Sequence, residues 1–203
     1  MAYILGFMYA DGNIVETKRG NYYIALYTAD EKILINIRKK MGSEHKISQR
    51  NTTSAGRVYR IQVGSREWFC DLRKVGLFPN KSKRMCLPTV PELFIGDFVR
   101  GYFDGDGNVW VGQIHKKRKT THTAIQVSFT SGSYDFLKSL HKVLSVQGLD
   151  GGALYQAKKG NYARLTFSIR DALKLYEIMY NSPCTLFLKR KKNVFEQFMK
   201  MRS

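Results

Sequence analysis

Cysteine is scarce in this 203-residue chain, with Cys70, Cys86 and Cys184 odd in number and far apart. Without paired-thiol spacing they build no disulfide framework, and they read as reduced, mostly buried side chains of an intracellular protein. The four histidines are scattered, none at zinc spacing to a cysteine, so a structural zinc site is not expected. Apolar runs fall well short of the ~20 residues that span a bilayer, and no secretory signal opens the sequence. Negative charge is scarcer still. Sixteen Asp and Glu face 34 Lys and Arg, leaving +18 and a pI of about 9.9. A ribosome-like or membrane-surface protein can share such a balance. On a small chain it points first to nucleic acid, through phosphate neutralisation and counterion release. The 43% hydrophobic and 13% aromatic content excludes a disordered chain. The length suits one large domain or two small ones sharing a core.

Among so few acids, two recur in the same setting. Ile4-Leu5-Gly6-Phe7-Met8-Tyr9-Ala10-Asp11-Gly12 returns, half a chain later, as Val99-Arg100-Gly101-Tyr102-Phe103-Asp104-Gly105-Asp106-Gly107. Each copy is an apolar helical run with a small residue inside it and an acid followed by glycine at its end. The surrounding elements repeat as well. Residues 1–9 read as a helix broken by Asp11-Gly12-Asn13, with Gly12 suited to a sharp exit. Residues 14–17 and 22–28 read as a strand pair, and Asp30 as the N-cap of a helix over 31–41. A second strand pair follows at 45–50 and 57–63, where Tyr59, Ile61 and Val63 alternate with Arg60 and Gln62. Ser65 then caps a helix at 66–75. Residues 79–91, with Pro79, Pro88 and Pro91, read as a linker. The order returns as a helix at 93–103, strands at 108–115 and 122–129, and a helix at 134–146 capped by Ser133. Strands at 152–157 and 162–169, a helix from Asp171 to residue 180 and a closing helix at 189–201 complete it. The prediction is an α+β chain of duplicated α-β-β-α-β-β-α halves: a first half at 1–78, a linker at 79–92 and a second half at 93–203. Duplicated units bury a face against each other. Gly6 and Gly101 let helix one and its copy approach closely, which brings Asp11 and Asp106 together.

At these residues the sequence resembles the LAGLIDADG homing endonucleases in their single-chain form with two motifs. Leu5, Gly6, Ala10, Asp11 and Gly12 carry the match in the first copy, and Gly101, Asp104, Asp106 and Gly107 in the second. Tyr9 departs from the acid usual before the alanine, and the short N-terminus leaves the first helix without the family's upstream turn. The resemblance implies a pseudo-two-fold fold with the motif helices at the interface and two antiparallel sheets forming a DNA-binding saddle. It implies that Asp11 and Asp106 bind divalent metal at the scissile phosphates, with the carbonyls of Ala10 and Gly105 as further ligands. Hard oxygen donors suit Mg2+ or Mn2+, and no organic cofactor is implied. The family's late lysine falls on Lys81 in Phe78-Pro79-Asn80-Lys81-Ser82 and on Lys191 in Leu188-Lys189-Arg190-Lys191-Lys192. Lys189 and Lys192 compete for the second place. A lysine there would stabilise charge on the phosphate or tune the attacking water.

On such a saddle, strand faces turned away from the helices lie in the major groove. With Ile125, Val127 and Phe129 directed to the core, Ala124, Gln126 and Ser128 are left for the groove. Arg60 and Gln62 are left likewise, as are Arg164, Thr166 and Ser168. Thr17, Arg19, Lys46, Ser48 and Arg50 are further candidates, and the basic run Lys116-Lys117-Arg118-Lys119 reads as a phosphate clamp. The expected function is a site-specific, metal-dependent endonuclease, encoded in an intron or as a free-standing gene. It would act as a monomer on a long, non-palindromic double-stranded DNA target, in a bacterial, phage or organellar compartment. The alternatives are an intron RNA-binding maturase and a DNA-binding regulator that no longer cuts, and the presence of both acids favours the enzyme.

Overall fold

Two helices of matching sequence lie side by side at the centre of the molecule. In the computed structural model, described for residues 1–52, 56–114, 122–158 and 160–202, α1 (Ala2–Asp11) and α4 (Ile95–Asp106) meet through their glycines. A methyl group added at Gly6 would overlap the carbonyl oxygen of Phe98, and one at Gly101 the carbonyl oxygen of Tyr3. Backbone therefore meets backbone, closer than any side chain would allow. Tyr3, Phe7, Met8 and Tyr9 of α1 and Phe98, Val99, Tyr102 and Phe103 of α4 fill the flanks and are buried. Burial all round α1 is what an apolar helix at the middle of a core requires.

Each of these helices feeds a four-stranded antiparallel sheet. The first half continues through β1 (Gly12–Glu16), β2 (Tyr22–Thr28), α2 (Glu31–Lys40), β3 (Ile47–Thr52), β4 (Gly56–Gly64) and α3 (Arg66–Lys74). The second continues through β5 (Gly107–Ile114), β6 (His122–Ser131), α5 (Tyr134–Val146), β7 (Ala153–Gln156), β8 (Ala163–Ser168), α6 (Ile169–Tyr180) and α7 (Lys189–Lys200). The strand orders, β1-β2-β4-β3 and β5-β6-β8-β7, are the same path taken twice. Register places Ile24 between Ile14 and Val63, and Val127 between Val109 and Phe167. Those apolar rows pack under the helices and leave the opposite faces open. The α+β class, the duplication and the central helix pair are as the sequence predicts. Asp30, Ser65 and Ser133 accept the N–H of Ile33, Trp68 and Phe136, tying down the first turns of α2, α3 and α5. Among the described residues no helix is long and apolar enough to cross a membrane.

Several boundaries move, for reasons of packing. Both motif helices run on through their acids, and the strands start at the next glycine. Gly12 and Gly107 have extended backbones, with φ of −89° and −90°. Their role is therefore space rather than a special turn: a Cβ at either would press on the carbonyl oxygen of Met8 or Phe103. β3 begins at Ile47 and not at residue 45, because the Ser43 hydroxyl occupies both the ring and the N–H of His45. α6 begins at Ile169, ahead of Asp171, whose carboxylate instead accepts the N–H groups of Asp150 and Gly151. The cysteines are not mostly buried. Cys70 and Cys86 are exposed and Cys184 is half-buried; Cys70 falls on the outer face of α3, whose inner face is Phe69 and Leu72.

Candidate active site and nucleic-acid interface

Because α1 and α4 each end on an acid and touch along their length, Asp11 and Asp106 finish on one floor. A Cβ at Gly105 would overlap that of Ala10 and lie 3.3 Å from Asp11 Oδ2, so the Asp11 carboxylate rests against the last turn of α4. Burial, and then the like charge of Asp106, push Asp11 up to about 6. Burial raises Asp106 as well, and Lys81 and Lys191 pull both acids back down. Helix C-termini carry partial negative charge from unpaired carbonyls, which favours cations at this spot.

Two lysines complete the floor. Lys81 comes from a 3-10 turn at Lys81–Lys83 and Lys191 from the first turn of α7. They are 8% and 6% exposed, buried cations in a chain whose other positive charges are mostly at the surface. Lys81 Nζ donates to the carbonyls of Gly12 at 2.7 Å and Ala10 at 3.3 Å. Lys191 Nζ donates to those of Phe103, Asp104 and Gly107 at 2.6, 2.9 and 2.6 Å. Each lysine thus closes the C-terminal end of the motif helix in its own half. Burial lowers both ammonium groups, Lys191 to about 8; Asp106 and Asp11 oppose the shift at Lys81, and Asp104 ahead of Asp11 and Asp106 at Lys191. Of the competing lysines, Lys189 is exposed. Lys192 lies over the rings of Tyr180 and Phe187, 3.5 Å from Glu196. Among the described residues no group of three or more His, Cys, Asp or Glu side chains converges.

The open sheet faces flank this floor. On the first sheet the cross-strand row Tyr27–Arg60–Ser48 lies beside Ala25–Gln62, and Arg50 stands opposite Val58. Arg60 Nε is buried without a partner, and the Ser48 hydroxyl donates to the Arg60 carbonyl. Thr17 and Arg19 lie in the β1–β2 turn, where Thr17 Oγ1 accepts from the Asn21 N–H, and Lys46 precedes β3. On the second sheet the open rows are Trp110–Gln126–Ser168, Ser128–Thr166–Ala153 and Thr130–Arg164–Tyr155. Ala124 and Ser128 depart from expectation: they are 4% and 8% exposed, so of the three groove-side residues on β6 only Gln126 is open. Trp110 lies over Gly112, the cross-strand partner of Ala124, and covers that end of the strand. Lys116, Lys117, Arg118 and Lys119 lie outside the described residues. The same faces present Tyr23, Tyr27, Trp110 and Tyr155, to which sequence reasoning gave no role. Their parity with Gln62, Gln126 and Arg164 across the strand pairs was the available signal.

A cavity of about 750 Å³ lies elsewhere, lined by Met41, His45, Val63 and Trp68 among others. The acids and lysines lie at the ends of the paired motif helices, where each helix passes into its sheet. The family model described as a LAGLIDADG-like domain matches residues 94–180, from the start of α4 to the end of α6. The structure of the LAGLIDADG homing endonuclease I-SmaMI bound to cleaved DNA is similar, with a TM-score of 0.65 at 13% identity, covering 98% of this chain and 87% of that one. I-SmaMI bound to an uncleaved DNA target in the presence of calcium ions gives 0.64 at 13%, with 98% and 89% covered. The LAGLIDADG homing endonuclease I-LtrWI bound to target DNA gives 0.61 at 15%, with 98% and 88% covered. At these identities the likeness is one of fold. No curated protein matches the chain by sequence.

Proposed function

We propose, from the fold this chain shares with LAGLIDADG homing endonucleases and the match of a LAGLIDADG-like domain to residues 94–180, that it is a site-specific endonuclease making a double-strand break in DNA. One observation carries the reading. Asp11 and Asp106, the only acids of the two repeated motifs that stand at helix ends, share a floor with two buried lysines between two open sheets.

The donor set fits a hard divalent cation. A buried carboxylate beside a like charge, as Asp11 is beside Asp106, holds its proton more tightly or attracts a cation in place of the proton. Few protein ligands are needed when waters and substrate phosphates fill the remaining positions, as Mg2+ prefers. Asp11 and Asp106 would hold the ion, with the Ala10 and Gly105 carbonyls beside them. When bound, such an ion supplies stabilisation of negative charge on the phosphate and eases ionisation of attacking water. I-SmaMI, with the same fold, has been observed with its DNA target in the presence of calcium ions.

The chain's own residues do the rest. Lys81 and Lys191 place positive charge against the phosphates and the water from a partly desolvated floor, where it acts more strongly than in bulk water. Arg60, Gln62, Gln126, Arg164, Thr166 and Ser168 face the major groove from the two sheets, and paired contacts from Arg to guanine or Gln to adenine discriminate by about 1–3 kcal/mol each. The two faces differ at nearly every position, so the target is asymmetric and one chain suffices. The test is selection of cleaved sites from a DNA library with Mg2+, beside a metal-free control. On a selected site, Asp106→Asn is expected to abolish double-strand cleavage while leaving binding intact. Full cutting by that variant overturns the role given to the acids; tight binding to a structured RNA with no DNA cut favours a splicing cofactor.

A further inference from the structure

Two residues before Asp106, Asp104 is 2% exposed and has no part in the reaction proposed above. A buried carboxylate needs partners. Its Oδ2 has two: the hydroxyl of Tyr3 on α1 donates to it at 2.7 Å, and the N–H of Leu188 at the start of α7 at 2.8 Å. Its Oδ1 has none. One turn earlier on α4, Arg100 Nε donates to the Leu186 carbonyl at 2.9 Å, and the same guanidinium lies over the Tyr3 ring. α4 therefore grips the segment entering α7 at two points, and Tyr3 holds the gripping pair from the other half. Lys191 follows three residues after Leu188, with its ammonium held by three carbonyls at the end of α4.

The first half has no equivalent. The matching position is Tyr9, whose hydroxyl donates to the Val75 carbonyl instead. Lys81 reaches its floor from a short turn, through two carbonyls.

We propose that Asp104 is a positioning residue that fixes the start of α7 through the Leu188 N–H, sets the place of Lys191, and so governs the cut on one DNA strand only. The inference rests on the endonuclease reading above. The tie requires an acceptor at the position of Oδ2, which asparagine keeps and alanine lacks; asparagine still removes the charge that Asp104 sets against the Lys191 ammonium.

The test uses the full chain, Mg2+ and a selected target duplex with a separate label on each strand. Asp104→Ala is expected to slow one strand's cut by about 10–100-fold, the usual loss when a supporting residue is removed, and to accumulate nicked duplex. Asp104→Asn is expected to recover most of that loss, leaving only a small bias from the missing charge beside Lys191. Tyr3→Phe, which keeps the acceptor for Leu188, shows the same bias more weakly. Equal slowing of both strands by alanine overturns the proposal, because general loss of structure does not choose a strand. Asparagine as damaging as alanine also overturns it. Backbone hydrogen exchange over residues 186–191 reads the tie without DNA or metal: protection falls with alanine and holds with asparagine. Unchanged protection with alanine overturns the tie, whereas an unsubstituted chain that cuts neither strand defeats the endonuclease reading instead.

Discussion

Replacing Asp11 with asparagine should remove cleavage and, in the absence of metal and DNA, make the protein more stable. The carboxyl titrates near 3.8 in an ordinary setting and at about 6 here, through burial first and Asp106 second. An acid raised in this way favours the folded state fully below the lower value, and that benefit is lost as the pH rises through about 6. Above it the fold must keep a charge that the unfolded chain holds in water. At 1.36 kcal/mol per pH unit the gap corresponds to about 3 kcal/mol. The carboxylate has partial access to solvent, which screens it, so about 1–2 kcal/mol is the expected gain for Asp11→Asn at pH 8, vanishing near pH 4. Urea unfolding followed by the fluorescence of Trp68 and Trp110, the two tryptophans of the chain, measures the gain at both pH values. Mg2+ supplies a second check, since a ligand bound only by the folded state stabilises it. It should stabilise the unsubstituted chain at pH 8 and leave the variant unmoved. A variant no more stable at pH 8, or one whose gain persists at pH 4, refutes the picture of a crowded, cation-seeking floor.

Gly101→Ala forces a methyl group into the Tyr3 carbonyl, where no flexible side chain can yield. It is expected to lower stability by at least about 1–3 kcal/mol in the same urea assay; a neutral outcome would mean the helices are not in backbone contact. Target affinity should fall by about a thousandfold or more between roughly 50 and 200 mM salt, as for proteins making several phosphate contacts. Filter-binding titrations at several salt concentrations measure this, and a flat profile would remove phosphate neutralisation as the source of affinity.

The parts of this molecule that were legible in the sequence are those written locally. A glycine inside an apolar run, an acid at its end and an N-cap three residues before its partner each act within a turn or two, so the helix pair, the strands and the two acids could be placed. Packing over long separations could not. The three lysines of Leu188-Lys189-Arg190-Lys191-Lys192 differ only in where α7 turns them, and that depends on the Asp104–Leu188 contact 84 residues apart in sequence. Strand alternation told which side Ala124 and Ser128 take, and said nothing of depth: both are buried, with the Trp110 ring lying over Gly112, the strand partner of Ala124. The aromatics Tyr23, Tyr27 and Tyr155 were given no role, because tyrosine occurs both buried and at the surface. Their register shows them on the open side.

The main-chain contact between α1 and α4 has a last consequence. Side chains can be exchanged along both sheets to suit a new sequence, and the floor beneath them stays put. The spacing of Asp11 and Asp106 is different in kind: it is ruled by how far apart two helix ends stand, and glycine already allows no closer crossing. On the proposed function, retargeting such a molecule is a problem of its surface, whereas altering the distance between its two acids would demand another scaffold.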